Sequence, residues 1–181
     1  MKNSLEDVLS FWFVETSPVQ WFQVNPMFDE MVRDKFLDLF RFAEQGFCDD
    51  WARSAEGALA LAILFDQFPR NMFRDTPEAY ATDAKALEIA ELAIERGFDQ
   101  LFQPHKRLFL YLPFEHSENI EHQRRSVALC AQMKYDDPLR YEYALRHMKV
   151  IERFGRFPHR NQILGRESTV EEIEFLKQDV R

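Results

Sequence analysis

Apolar and polar residues follow one another along this chain with the period of an amphipathic α-helix. Between residues 26 and 45 the apolar positions lie at helical spacing, at Phe28, Met31, Phe36, Leu39, Phe40 and Ala43. Between residues 77 and 96, alanines and an isoleucine form a face of small side chains that lets another helix approach closely. The strict alternation that is typical of half-buried strands does not occur. The pattern therefore predicts a helical chain.

Capping residues and glycines mark where these helices begin and end. Asn25, Thr76 and Asp137 each precede a proline, an order that favours a helix start because proline has no N–H to leave unsatisfied. Gly97 and Gly155 follow amphipathic runs and are suited to the left-handed conformation that ends a helix. About eight helices are predicted, at residues 4–13, 26–45, 52–67, 77–96, 104–112, 118–134, 138–154 and 169–178.

The order of these helices predicts an all-α fold. Short connections join them into antiparallel pairs, and the similar stretches "AEQGF" (43–47) and "IERGF" (94–98) close two of the pairs. Neither a linker nor a low-complexity segment interrupts the sequence. We therefore expect residues 1–181 to form a single domain of tetratricopeptide-like, superhelical arrangement.

Composition narrows the class of protein. Of the 181 residues, 46% are hydrophobic and 30% charged, which is typical of a soluble globular chain. The start of the sequence is acidic and has no export signal, and the longest apolar run, residues 58–65, is too short to span a bilayer. Cys48 and Cys130 have no metal or redox spacing and are expected to be buried free thiols. A cytoplasmic protein is predicted, and its net charge of -8 argues against nucleic acid as a partner.

The positive charge is concentrated near the C-terminal end. Residues 146–166 contain six lysines or arginines and a single acid, Glu152. This region includes "RFGRFPHRNQILGR" (153–166), whose skeleton of Phe-Pro followed by Arg-Asn also occurs in "FDQFPRNMFR" (65–74). We call residues 65–74 the first corner and residues 153–166 the second corner.

Each corner is predicted to hold an Arg-Asn pair in a fixed turn, because proline ends the preceding helix. Guanidinium groups match the geometry of carboxylates and phosphates. Two such corners could therefore line a common pocket for one anion, or else form a buried Arg–Asn network with a structural role. Arg146, Lys149, Arg153 and Arg156 recur on one helix face, either as solvated surface or, nearer the corner, as part of the site.

The stretch "LPFEHSENIEH" (112–122) contributes further candidates. Pro113 is expected to end one helix and Ser117 to cap the next, so Glu115 and His116 lie in a tight joint between two helices. Glu118 is positioned to pair with an arginine. No HExxH motif and no cofactor fingerprint occur, so neither a metal nor a cofactor is predicted. The candidate catalytic residues are His116, His159 and Glu115. The candidate ligand-binding residues are Arg70, Asn71, Arg74, Glu118, Arg153, Arg156, His159, Arg160 and Asn161.

These motifs resemble the bacterial proteins catalogued as domain of unknown function 924. The similarity extends over nearly the whole chain and is carried by residues 65–74, by 113–118, and by 153–161 with the following Leu164-Gly165-Arg166 and Ser168-Thr169. The resemblance implies a multihelical, tetratricopeptide-like fold in a bacterial protein and implies no activity.

Three functions remain open on the sequence. The first is a protein that binds a small anionic molecule, a carboxylate or a phosphate, in a pocket lined by arginine, asparagine and histidine. The second is a hydrolase or lyase acting on an anionic substrate, with His159 or His116 as acid or base, oriented by Glu115 or Glu118. The third is a tetratricopeptide-like module that binds a peptide, through its C-terminal carboxylate. The oligomeric state is not predicted.

Overall fold

The computed structural model describes residues 3–178, and within that range the chain is helical and contains no strand. This confirms the predicted all-α fold, whereas the tetratricopeptide-like superhelix stays a prediction. Two π-helical turns, Phe11–Glu15 and Ile63–Gln67, interrupt the regular geometry. The α-helices are α1 Leu5–Ser10, α2 Pro26–Glu44, α3 Ala55–Ala62, α4 Phe68–Met72, α5 Asp83–Glu95, α6 Pro104–Glu115, α7 Ile120–Ala131, α8 Pro138–Phe154 and α9 Val170–Gln178.

Several helices begin where the sequence predicts. The Asn25 side chain accepts hydrogen bonds from the backbone N–H groups of Met27 and Phe28 at the start of α2. The Asp137 side chain does the same for Arg140 in α8. Thr76, in contrast, precedes a 3-10 turn (Pro77–Tyr80), and α5 begins only at Asp83. Side-chain caps thus set these helix starts because they satisfy N–H groups that have no partner within the helix.

Proline does not end α6, contrary to the prediction for Pro113. The helix continues through Pro113 to Glu115, and the buried side chains of Leu112 and Phe114 anchor its last turn although proline removes one hydrogen bond. The next helix, α7, is capped by Asn119, which accepts a hydrogen bond from the N–H of Glu121. Ser117 was the expected cap, but it lies in the joint between the two helices.

Two compact units make up the chain. The first unit comprises the residues up to Arg74 together with Glu78–Pro113. In it, α2 packs against α4, and α3 packs against α1 and α5. Its core is aromatic: the Phe36 ring lies 5.1 Å from Phe11 and 4.7 Å from Phe68, measured between centroids. The phenylalanines in which the sequence is rich thus form close ring contacts. Such contacts stabilise the fold beyond the effect of burying apolar surface.

The second unit comprises Asp75–Pro77 and the residues from Phe114 onward. Here α7 packs against α8, and α9 packs against a 3-10 turn at Pro158–Arg160. Leu129, Cys130 and Ile151 are among its buried side chains. The organisation of residues 1–181 as a single domain stays a prediction.

Both cysteines are buried and free, as predicted. Burial, with a smaller contribution from the negative charge of Glu115, raises the pKa of the Cys130 thiol to about 12. Burial raises the pKa of Cys48 as well. Since the thiolate is the nucleophilic form, both side chains are expected to be unreactive at neutral pH.

Residues 3–178 also bear on a membrane location. No helix in this range combines the length and the apolar composition that crossing a bilayer requires.

Candidate functional site

The first corner differs from the predicted helix end. The π-helical turn Ile63–Gln67 passes directly into α4, so Pro69 lies in the first turn of a helix that continues. Proline is tolerated at this position because the N–H groups of a first turn have no intrahelical partner. The prediction that Pro69 ends a helix is therefore wrong. The corner is a local change of helical pitch.

Arg70 of the first corner is held by two aspartates. Its guanidinium donates to both carboxylate oxygens of Asp83, at 2.8 and 3.0 Å, and lies 3.2 Å from Oδ1 of Asp66. Burial alone lowers the pKa of Arg70, but the charges of Asp66 and Asp83 outweigh it and the pKa is raised. The arginine is thus fixed in its charged form by acids of the same unit.

Asn71 and Arg74 share a third acid, Asp29 of α2. The Asn71 amide donates to Oδ1 of Asp29 at 2.8 Å, and Arg74 donates to both oxygens of the same carboxylate at 2.6 and 2.8 Å. Asp29 lies more than forty residues away along the chain. The first corner therefore fastens α4 to α2 through a carboxylate that receives three hydrogen bonds.

The second corner does end a helix. After Phe154, Gly155 adopts a left-handed conformation (φ 68°) and its N–H donates to the carbonyl of Ile151. Phe157 is extended, and Pro158 then begins the 3-10 turn. Glycine is suited to this position because it carries no Cβ to clash in that conformation. The two corners share residue types but differ in backbone.

Glu172 supplies one of the carboxylates that accept hydrogen bonds from the second corner. It receives two hydrogen bonds from Arg156, at 2.7 and 2.9 Å, and a weaker one from the amide of Asn161 at 3.3 Å. Thr169 caps α9 and donates its N–H to Glu172 at 2.7 Å, in a capping box that lies one residue later than the similar pattern Ser168-Thr-Val-Glu171 in the sequence. The hydrogen bonds from Arg156 contribute most to lowering the pKa of Glu172 to about 2.

Glu118 is the second carboxylate of this corner. Arg166 donates to both of its oxygens, at 2.7 and 3.0 Å, and the backbone N–H of Phe157 donates to Oε1 at 2.8 Å. Burial opposes ionisation of Glu118, but these bonds and the charges of Arg166 and Arg160 together lower its pKa. The predicted pairing of Glu118 with an arginine is present in the structure.

Three cationic or titratable side chains surround the buried ring of Phe157. The guanidinium carbon of Arg160 lies 4.6 Å from the ring centroid. The imidazoles of His147 and His159 each lie 5.5 Å from it, His147 edge-on and His159 tilted. We call Phe157, His147, His159 and Arg160 the Phe157 cluster. His159 is exposed, His147 is half-buried and Arg160 is buried, so the cluster reaches from the interior of the unit to its surface.

Glu115 fixes the orientation of His147. Its buried carboxylate lies 2.8 Å from Nδ1 of His147, and the backbone carbonyl of Tyr143 lies 3.1 Å from the same nitrogen. Both partners are acceptors, so Nδ1 carries a proton and Nε2 is the nitrogen that remains for other chemistry. The sequence predicts Glu115 as a partner of His116 or His159, whereas the structure gives it His147. His116 follows α6 directly and is half-buried.

Hydrogen bonding is less complete in the second corner than in the first. Oδ1 of Asn161 and Nε of Arg166 are buried without a hydrogen-bond partner among the described residues. The side chains of the first corner and the aspartates that hold them contain no such atom in that set. A buried polar atom without a partner costs free energy, so the second corner is the more receptive to an added polar group.

Other possible sites have weaker support. Ser117 Oγ lies 2.8 Å from Nδ1 of His122 and also accepts the N–H of Asn119, which is the arrangement of a helix start. In the range 3–178, no three histidine, cysteine, aspartate or glutamate side chains lie close enough to hold a metal ion. The Arg153 side chain pairs with Glu171 on the surface at 2.8 Å.

Sequence reasoning missed Asp29, Asp83 and Glu172 as partners of the corners, and His147 was not among the candidate residues. Asp29 and Asp83 belong to other helices, and nothing in the local sequence connects them to the first corner. Two signals were present in the second unit. His147 lies one helical turn before Ile151 on the buried side of α8, and Glu172 adjoins a recognisable capping box.

Comparison with known proteins agrees with the fold. A solved structure of a protein of unknown function from Agrobacterium tumefaciens is 42% identical, with a TM-score of 0.90. The match covers 96% of this chain and 97% of that one. A search of the curated proteins found no match. Residues 8–179 match the family model described as a bacterial protein of unknown function (DUF924). The chain therefore belongs to this bacterial family of unknown function.

Proposed function

We propose that the chain binds a small anionic compound, a carboxylate or a phosphate, at the second corner. The observation that carries the proposal is the Phe157 cluster, in which two imidazoles and a guanidinium converge on one ring. His159 and His147 supply polar atoms near the surface, and Arg160 supplies buried positive charge. Arg153, Arg156 and Asn161 lie in the same corner, and Glu118 organises it from α6–α7.

The strength of such a site follows from its donors. Hydrogen bonds to charged groups contribute about 1.5–3 kcal/mol each, so two or three of them support a micromolar to millimolar dissociation constant. Charge acts more strongly where water is partly excluded, as it is around the buried Arg160. Oδ1 of Asn161 and Nε of Arg166 offer one further acceptor and one further donor to a polar ligand.

The proposal is confined to the second corner because of the Phe157 cluster. Carboxylates hold arginines in both corners: Arg70 and Arg74 pair with aspartates, and Arg156 and Arg166 pair with glutamates. An anion placed at any of these paired arginines would meet a like charge. The Phe157 cluster adds two imidazoles at the second corner, whereas residues 65–74 contain no histidine. A common pocket for the two corners stays a prediction from the sequence.

Isothermal titration calorimetry tests the proposal with inorganic phosphate, succinate and citrate as probes. We expect one of these anions to bind the wild-type protein and His147→Gln or Arg160→Gln to weaken its binding at least tenfold. The matched control is Arg153→Gln, which removes an exposed arginine of the same corner that already has a carboxylate partner. Urea unfolding of each variant shows whether the fold is kept. If no probe binds, or if the three variants bind equally, the proposal fails.

A hydrolase or lyase is the second candidate, and the contact between Glu115 and His147 favours it. A buried carboxylate that holds the Nδ1 proton leaves Nε2 to accept a proton from water or from substrate, as a general base does. Hydrolysis of p-nitrophenyl phosphate and p-nitrophenyl acetate by wild-type protein, His147→Gln and Glu115→Gln provides a first test. Equal rates in all three would contradict this role for His147. The peptide-binding module, the cytoplasmic location and the exclusion of nucleic acid stay predictions.

A further inference from the structure

An exposed face of α2 in the first unit combines methionines with acids. Met27, Glu30, Met31 and Asp34, together with Lys35, line an open groove of about 460 Å³. Met27 is 79% exposed and Met31 is 52% exposed, which is unusual for such large apolar side chains. Methionine is flexible and polarisable, and it recurs on surfaces that bind other proteins.

The charge of this groove is negative. Lys35 is engaged by Glu15 at 2.7 Å, and its ammonium also lies 4.7 Å from the centroid of the Phe11 ring. Glu30 and Asp34 are exposed and form no ion pair with any residue in the range 3–178. We call Met27, Glu30, Met31 and Asp34 the acidic face. It offers two apolar side chains flanked by two unneutralised carboxylates.

A face of opposite charge lies on α8 in the second unit. Leu139 and Tyr143, 48% and 36% exposed, are one helical turn apart and are followed on the same side by Arg146 and Lys149. Arg146 packs its guanidinium 5.5 Å from the Tyr143 ring, and within residues 3–178 neither Arg146 nor Lys149 pairs with a carboxylate. We call these four residues the basic face. Arg146 and Lys149, the half of the basic stripe that lies before the second corner, thus take no part in the hydrogen bonds described for that corner.

We propose that the acidic face of one copy docks against the basic face of a second copy of this chain. Each face is part of one helix and spans two to three turns, with two apolar residues beside two like charges. Met27 and Met31 would pack on Leu139 and Tyr143, while Glu30 and Asp34 would meet Arg146 and Lys149. Because the two faces are opposite in charge and similar in size, we choose a second copy of this chain as the partner. The inference is independent of the anion site.

The expected association is weak. Four side chains on each partner bury much less than the roughly 800 Å² per partner of a standard interface. Much of the attraction is between exposed charges, so it should decrease as added salt screens them. Two copies that exchange both contacts would form a two-fold dimer, whereas copies that engage a different neighbour through each face would form a ring or a continuing chain.

Sedimentation equilibrium with charge-swapped variants tests the proposal on the full chain. We expect the average mass of the wild type to rise with protein concentration in low salt and much less in high salt. Glu30→Lys with Asp34→Lys should abolish the rise, because two basic faces then repel each other. Arg146→Glu with Lys149→Glu should abolish it equally. An equimolar mixture of the two double variants should associate again, since each acidic face then finds a basic one.

The matched control is Glu88→Lys with Glu95→Lys on α5, which changes the net charge as much as the acidic-face variant does. Both residues are exposed and form no ion pair in the described part of the chain. This control should associate like the wild type. A wild-type protein that stays monomeric at every concentration would overturn the proposal. So would association that the swaps leave unchanged, or a mixture of the two variants that stays monomeric.

Discussion

The two corners of this chain share a sequence motif but differ in backbone conformation. In the first corner a helix passes through Phe68-Pro69 by way of a π-helical turn, whereas in the second corner Gly155 ends the helix before Phe157-Pro158. In both, an asparagine amide and an arginine share one carboxylate: Asp29 in the first, Glu172 in the second. The asparagine is therefore fastened to a carboxylate in both corners, although the arginine that shares this carboxylate follows the asparagine in the first corner (Arg74) and precedes it in the second (Arg156).

What differs is the chemistry that surrounds this common element. Aspartates accept hydrogen bonds from the polar side chains of the first corner. Within the described range, this corner contains no buried polar side-chain atom that lacks a hydrogen-bond partner. The second corner contains His159 and the buried Arg160 and lies beside His147. One buried atom each of Asn161 and Arg166 lacks a hydrogen-bond partner among the described residues. Sequence similarity between the two segments thus corresponds to a similar structural role, and the departures from it lie in the corner for which we propose the anion site.

The largest expected effect is on the stability of the first corner. Arg70→Met removes the positive charge that lies 3.2 Å from the carboxylate of Asp66, a side chain that is 1% exposed. Breaking a buried ion pair in this way costs about 3–5 kcal/mol. Urea unfolding, followed by circular dichroism, measures the change. A loss below about 1 kcal/mol would show that Arg70 is not structural, and the distinction between the corners would then fail.

An intermediate and equal effect is expected when the two asparagines are compared. Asn71 donates to Asp29 and Asn161 donates to Glu172 and Ser168, and both amides are buried. Replacing either with alanine removes a hydrogen bond to a charged group and should cost about 1–3 kcal/mol in the free energy of unfolding. Parallel urea titrations compare the two variants. A large difference between them would contradict a common fastening role.

Acid should separate the wild type from a Glu172→Gln variant. The pKa of Glu172 in the folded chain is about 2, below its ordinary value of 4.5, so its ionised form stabilises the fold above about pH 4.5. That contribution is lost as the pH falls toward 2, and glutamine cannot show the loss. The unfolding midpoints of the wild type and of Glu172→Gln should therefore approach each other as the pH is lowered from 7 to 3. Curves that stay parallel over this range would argue against the pairing of Glu172 with Arg156.

The smallest effect is expected for the exposed pair at the edge of the second corner. Arg153 and Glu171 are 53% and 62% exposed in their side chains, and water and ions screen such pairs. Arg153→Met should change the free energy of unfolding by less than about 1 kcal/mol. The same urea assay applies, with Arg70→Met as the opposite extreme. If Arg153→Met lowered the free energy of unfolding as much as Arg70→Met, the exposure of an ion pair would not determine how much it stabilises the fold.

Local signals predicted most of the helices, because helical period, caps and glycines are properties of neighbouring residues. Asn25 and Asp137 begin α2 and α8 as expected, and Gly155 ends α8. Pro69 and Pro113 were misjudged for different reasons. Pro69 lies in the first turn of a helix, where proline is tolerated, whereas at Pro113 the packing of buried neighbours outweighs the lost hydrogen bond. The arginines and asparagines of the corners stood out in the sequence. Asp29 and Asp83 did not, because they lie 42 and 13 residues away from Asn71 and Arg70.

The contact of His147 with Glu115 was hidden for the same reason. The two residues lie on different helices, and nothing in the spacing of either helix identifies the other as its partner. A sequence shows which residues are unusual, whereas the choice of partner depends on how helices pack. For this reason the sequence could single out the arginines and asparagines of the corners as candidates but could not give their partners.

The most direct measurement is a nuclear magnetic resonance titration with inorganic phosphate that follows the arginine Nε–H and histidine ring signals. We expect the signals of His147, His159 and Arg160 to move in a saturable way while those of Arg70 and Arg74 stay in place. Movement at Arg70 and Arg74, or no saturable movement at any of these residues up to high phosphate concentration, would contradict this expectation.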